Sequence, residues 1–360
     1  MAKHIKGRGA LSRPPGRFDR QVTEAIDDGW SAVSSLEDET PASIATSCDP
    51  ERAKTIITRN NSPDIPFDQS INPYRGCEHG CIYCYARPSH AFVGLSPGLD
   101  FETKLSYKQD AARLLESELA KPGYVCKTIM LGSNTDPYQP VERRLLVTRS
   151  ILQVMQRYKH PVSVITKGAL IERDIELLAD LAQHNLTNVM ISLPTLDVGL
   201  KRTLEPRAAS PAARLRVMRQ LADAGVPVGV MVAPVIPVVT DDEIEKVLEA
   251  AAAAGALSAS YVMLRLPFEV KDLFREWLAE HFSERAAHVM ARVNDLRGGR
   301  DNDPAFKTRM SGQGVFAELI RMRFELACRR LGLRQNRAAA LDTRQFCPPR
   351  LAGAQLAMVF

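Results

Sequence analysis

The run Arg75-Gly76-Cys77-Glu78-His79-Gly80-Cys81-Ile82-Tyr83-Cys84-Tyr85-Ala86-Arg87 decides the reading of this chain. Its cysteines are spaced C-x3-C-x2-C, with an aromatic residue immediately before the last. Three thiolates this close on one loop can hold three irons of a 4Fe–4S cluster and leave the fourth iron without a protein ligand. An iron left open is a place for a small molecule to chelate. The nearest rival is zinc, with His79 or His90 as a fourth ligand. Structural zinc sites use cysteine pairs and a closed set of four ligands. No second pair lies downstream, so the iron–sulfur reading is preferred.

Outward from this loop, from about residue 68 to 267, short β-rich runs alternate with helical stretches. The strands are expected over Gln69–Tyr74, Lys127–Leu131, Val162–Thr166, Asn188–Leu193, Val228–Val232 and Ser260–Leu264. Helical periodicity falls near Lys108–Lys121, Arg143–Tyr158, Glu172–His184, Ala212–Ala224 and Asp242–Ala254. Ser210-Pro211 reads as an N-cap followed by Pro in the first turn, and Gly225 closes that helix. Thr240-Asp-Asp-Glu243 has the spacing of a capping box. Six such βα units predict an α/β fold, a partial (β/α)6 barrel of TIM-like type. Three segments are expected: a basic, partly disordered extension over 1–65, the barrel core over 66–270, and a helical region with a tail over 271–360. The cysteine loop follows the first strand at its C-terminal end, where parallel βα folds collect their active sites.

The chain has 360 residues, 45% hydrophobic and 25% charged, the composition of an ordinary globular protein. Its first residues lack an apolar signal region. The longest uncharged stretches, Gly225–Val239 and Ala250–Leu264, are too short to span a bilayer. A cytoplasmic protein without a membrane partner is expected. Seven cysteines, an odd number with three clustered, argue against a disulfide framework. Lys3, Lys6, Arg8, Arg13, Arg17 and Arg20 face only Asp19 within residues 1–20, which accounts for the whole net charge of +5. Such an arm could contact phosphates, although a solvated tail is the commoner outcome.

The cysteine motif resembles that of the radical S-adenosylmethionine (radical SAM) enzymes, whose core is the same partial barrel. More of the chain resembles the spore photoproduct lyase-like branch, often labelled DNA repair photolyases. The likeness runs from Ile71-Asn-Pro-Tyr74 through the cysteines. It continues in Gly132-Ser-Asn-Thr-Asp136-Pro-Tyr-Gln-Pro-Val-Glu142, Ile165-Thr-Lys167-Gly168, Ile191-Ser192 and Leu204-Glu-Pro-Arg207. The resemblance implies that Cys77, Cys81 and Cys84 ligate the cluster and that S-adenosylmethionine chelates its open iron. It implies one-electron cleavage to a 5′-deoxyadenosyl radical, with an external electron donor. Tyr83 matches the aromatic residue that contacts adenine. Lys167 and Ser192 match residues that hold the S-adenosylmethionine carboxylate.

Ser133, Asn134 and Asp136 are the substrate-side candidates of the loop after the second strand. Asp136 reads equally well as an Asx turn before Pro137. Ser133 stands where the lyase has a cysteine that returns a hydrogen atom. An O–H bond is much stronger than S–H, so splitting of spore photoproduct is not expected. Glu205, Arg207 and Arg214 are read as pairing with one another. The tail Gln355-Leu356-Ala-Met358-Val-Phe360 loosely resembles peptides that bind sliding clamps, with folding back onto the protein preferred. Nucleic acid is the favoured substrate. An iron–sulfur redox protein and a DNA-associated accessory protein are the alternatives.

Overall fold

The computed structural model describes residues 5–19, 44–335 and 340–349. Its core is six parallel strands: β1 (Gln69–Ile71), β2 (Ile129–Leu131), β3 (Val162–Thr166), β4 (Thr187–Ser192), β5 (Val228–Val235) and β6 (Ser258–Met263). Each pairs with the next in the chain, so the sheet is wound in one direction. Thr58–Arg59 adds antiparallel to β1, and Arg334–Gln335 adds parallel to β6. The two ends do not pair with each other among the described residues, leaving a partial barrel open on one side.

Register brings Ile71, Leu131, Val164, Val189 and Val228 into one row across the sheet. All five are buried. Burying each such side chain contributes about 1.5–3 kcal/mol relative to exposure, and the row slants through the sheet, from the last residues of β1 and β2 to the first residue of β5. Helices α1 (Ala111–Leu119), α2 (Val147–Arg157), α3 (Ile175–Gln183), α4 (Pro211–Asp223) and α5 (Ile244–Ala253) cover the outer face. Helices α6 (Val270–His281), α7 (Ala286–Leu296) and α8 (Gly314–Leu331) follow β6. Among the described residues no helix is long and apolar enough to cross a membrane.

Several expected elements differ in ways that have local causes. The first strand stops at Ile71, and Tyr74–Arg75 crosses to a second sheet with Lys104–Lys108 and Ser47–Glu51. Pro73 lacks the N–H a ladder needs, and Asn72 turns its side chain toward the loop after β2. The helix expected over Arg143–Tyr158 breaks at Leu146, which has φ 57°. There Glu142 accepts the amides of Thr148 (3.0 Å) and Arg149 (3.3 Å), capping α2. The capping box at Thr240 does not form. Thr240 Oγ1 accepts from the Ile236 amide (2.9 Å), and Glu243 reaches across to Thr195 Oγ1 (2.5 Å) and the Leu196 amide (2.8 Å).

The N-cap at Ser210 forms as expected, accepting from Ala213 N at 3.2 Å. Residues 340–349 cross the N-terminal end of the strands, where the amides of Asp342 and Cys347 donate to the carbonyls of Asn185 and Tyr158. The C-terminal peptide read as a clamp-binding motif, and Lys3 and Arg20 of the basic arm, lie outside the described residues.

Candidate active site

The small sheet delivers the chain to the cysteine loop. The loop turns at Gly76 (φ 77°) and Gly80 (φ 67°), in the left-handed region that favours glycine. Its backbone is fixed at both ends: Cys77 N donates to Phe101 O (2.9 Å) and Ile82 N to Leu204 O (3.0 Å). Gln139 clasps it from the loop after β2, accepting from Glu78 N (2.8 Å) and donating to Gly76 O (3.2 Å).

Cys77 and Cys81 are each 7% exposed and Cys84 is half-buried; all three are free thiols. Burial pushes the Cys77 and Cys81 thiols up, helped by Asp136 beside Cys77 and Glu205 beside Cys81. The two histidines of the zinc alternative are engaged elsewhere. His90 Nε2 lies 3.0 Å from Lys104 O, and His79 Nδ1 lies 3.3 Å from Asp136 Oδ2. Among the described residues no three Cys, His, Asp or Glu side chains converge as one metal ion requires. A cluster makes no such demand, since each thiolate meets its own iron. The donor set therefore suits a cluster.

The Leu204–Arg207 stretch docks on the loop. Tyr83 OH donates to Glu205, and Arg214 binds the other oxygen of that carboxylate. Arg207 pairs with Glu78 (3.0 Å), so the expected mutual pairing holds for Glu205 with Arg214 and not for Arg207. Arg214 also donates to Ser192 O (2.8 Å), tying the end of β4 to the same clip. Ser192 Oγ donates to Ala233 O (3.2 Å).

Lys167, just beyond β3, holds its ammonium 6.0 Å from the centre of the Tyr83 ring. Burial by itself would lower its pKa, but Cys81 and Glu205 outweigh that and the net direction is up. Asp136 is saturated. Oδ1 accepts from Tyr138 N (2.9 Å) and Thr166 Oγ1 (2.6 Å), while Oδ2 accepts from Lys167 N (2.7 Å). Burial works against its ionised form, yet His79 and these donors hold the carboxyl down at about 2. The contact with Tyr138 N is the Asx turn anticipated from Pro137.

Ser133 and Asn134 are held by Asn72, which accepts from Asn134 N (2.9 Å) and Thr135 N (3.3 Å) and donates to Ser133 Oγ (3.3 Å). Tyr85 OH donates to Ser133 O, so the cysteine loop and the second loop touch at the mouth. Every candidate thus lies at the C-terminal edge of the sheet. Sequence reading missed Asn72, Gln139, Arg87 and Glu102, which hold the loops. Asn72 and Gln139 sit inside the matched motifs, and that position was their signal.

Residues 71–251 match the family model described as the radical SAM superfamily. An uncharacterized protein of Mycobacterium tuberculosis is 38% identical over 250 residues, covering 69% of this chain and 72% of that one. An uncharacterized protein of Methanocaldococcus jannaschii is 25% identical over 192 residues, covering 53% and 69%. Among solved structures, a spore photoproduct lyase variant with bound AdoMet and dinucleoside spore photoproduct superposes with a TM-score of 0.55. That match has 14% identity and covers 81% of this chain and 82% of the lyase, a likeness of fold.

Proposed function

Because this chain belongs to the radical SAM superfamily and is a radical SAM enzyme, we propose that Cys77, Cys81 and Cys84 ligate a 4Fe–4S cluster at which S-adenosylmethionine is bound and reductively cleaved. One observation carries the assignment: three free thiols share one loop whose backbone is locked at the carboxyl edge of a parallel sheet. When bound, the cluster and S-adenosylmethionine supply a one-electron cleavage that yields a 5′-deoxyadenosyl radical.

The chain's own residues bind and orient. Lys167 stays cationic and offers a charged donor to the ligand's carboxylate. The Ser192 hydroxyl donates to Ala233 O, so here it is not free to donate to the ligand's carboxylate as the resemblance implies, which leaves that task to Lys167. Tyr83, oriented through Glu205, presents its ring beside Lys167. Asp136 positions rather than reacts: its bond to Lys167 N sets where that side chain departs from the backbone. Ser133 and Asn134 line the substrate side. Serine at 133 does not return a hydrogen atom readily, which separates the reaction from splitting of spore photoproduct.

The substrate is assigned to nucleic acid, on the likeness to a lyase solved with a dinucleoside and on Arg265, whose guanidinium lies 5.5 Å from the centre of the Tyr85 ring. An external donor supplies the electron, and a reducing compartment such as the cytoplasm suits three free thiols. The test is anaerobic: protein reconstituted with iron and sulfide is given S-adenosylmethionine and dithionite, and 5′-deoxyadenosine is quantified. Cys81→Ala is expected to abolish both the cluster absorbance and the product. A Cys81→Ala protein that still forms 5′-deoxyadenosine overturns the assignment. A cluster in the unaltered chain without any product favours an iron–sulfur redox protein instead.

A further inference from the structure

The outer side of the cysteine loop is closed by the chain's own N-terminal segment. Read from sequence, this arm belonged to solvent, yet Arg8, Gly9 and Ala10 are buried. The carboxylate of Glu102, itself 0% exposed, accepts the amides of Gly9 (2.9 Å to Oε2) and Ala10 (2.9 Å to Oε1). Oε1 also receives Arg87 Nη2 at 2.5 Å. Arg87 directs its other donors at carbonyls: Nε to Cys81 (2.9 Å), Nη2 to Gly80 (3.2 Å), and Nη1 to Pro97 (3.2 Å) and Gly98 (3.0 Å). All five N–H groups of the guanidinium are used.

Arg8 in turn donates to Glu102 O (2.9 Å), Thr46 Oγ1 (2.9 Å) and Ile44 O (2.5 Å). The arm also touches the loop directly. A Cβ placed on Gly9 would lie 1.8 Å from Gly80 O, in the peptide between Cys77 and Cys81. Only glycine lets the arm's backbone lie against that peptide.

We infer that the Arg8-Gly9-Ala10 strap, acting through Glu102 and Arg87, is a positioning element of the cluster site that fixes the Gly80–Cys81 peptide and shields the loop from solvent. The inference rests on the reading that this loop carries a cluster. Its electrical consequence is specific. Arg87 and Glu102 form a buried neutral pair beside the loop. Glu102→Gln leaves the arginine's charge uncompensated in a low-dielectric place, and a nearby positive charge favours the more negative, reduced cluster.

The experiment reconstitutes the full chain and its Lys6→Ala, Gly9→Ala and Glu102→Gln variants with iron and sulfide. It records the midpoint potential, the bleaching rate in air and the melting temperature of the metal-free proteins. Lys6 is exposed, and its variant should behave as the parent. Glu102→Gln should move the potential positive, and Gly9→Ala should bleach several-fold faster. If both keep the parent's potential and lifetime, the inference is overturned, whatever their melting temperatures. A Glu102→Gln chain that does not fold leaves the decision to the bleaching rate of Gly9→Ala. If the unaltered chain assembles no cluster, the ligand assignment falls and this inference with it.

Discussion

Single residues divide by whether their role is written in their neighbours. Three cysteines within eight positions share a loop whatever the rest of the chain does, so they were legible from sequence. His160 was not. It lies fully buried at the opposite end of the sheet, with Nδ1 3.0 Å from Pro161 O and Nε2 2.8 Å from Tyr124 OH, and Phe346 packs on its ring. The carbonyl can only accept, so Nδ1 carries the proton of the neutral ring. Burial lowers its pKa to about 4, against 6.5 in the open chain. The folded form therefore holds its full contribution above pH 6.5 and loses it as pH falls toward 4, by about 3 kcal/mol. Melting temperature should drop between pH 7 and 5, and His160→Gln should flatten that dependence; an unchanged slope in the variant refutes the attribution.

Elements were legible where periodicity was strong and blurred where side chains rewired the backbone. β3 was read without error because Val162–Thr166 is a β-branched run between turn signals. The first strand and second helix were read too long, since Asn72-Pro73 and Glu142 end or restart them through contacts made at a distance. The clip that joins the Leu204–Arg207 stretch to the cysteine loop shows the same dependence. Glu205 and Arg214 are both buried, and the carboxylate also serves Tyr83. Removing one member of such a pair strands a charge at a cost of about 3–5 kcal/mol. Arg214→Met should lower the unfolding free energy in urea by about 3 kcal/mol or more and reduce the iron retained per chain. A loss below about 1 kcal/mol would place the pair in water.

At the scale of the whole molecule, a two-pronged ion pair bridges the open side of the barrel. Asp64, in the loop leading into β1, receives Arg309 Nε (2.6 Å) and Nη2 (2.5 Å) from the segment after α7. Both side chains are largely buried, at 8% and 16% exposure. Asp64→Asn should raise amide hydrogen exchange in residues 60–68 and 305–312 and leave β2 to β5 unchanged. Uniform acceleration across all strands would mean that the pair holds the entire fold.

The sequence by itself determined the order of βα units, the loop that bears the thiols and the edge on which that loop lies. These rest on spacings of a few residues, where chain connectivity alone restricts the geometry. Only the tertiary structure decided which buried polar and charged groups meet. The Arg8 guanidinium reaches the main-chain carbonyl of Glu102 across 94 positions, the Tyr83 hydroxyl reaches Glu205 across 122, and Arg309 reaches Asp64 across 245. A charged residue reads the same in sequence whether it faces water or a partner. Burial settles its partner, because an unpaired charge in the interior costs more than the fold can spare.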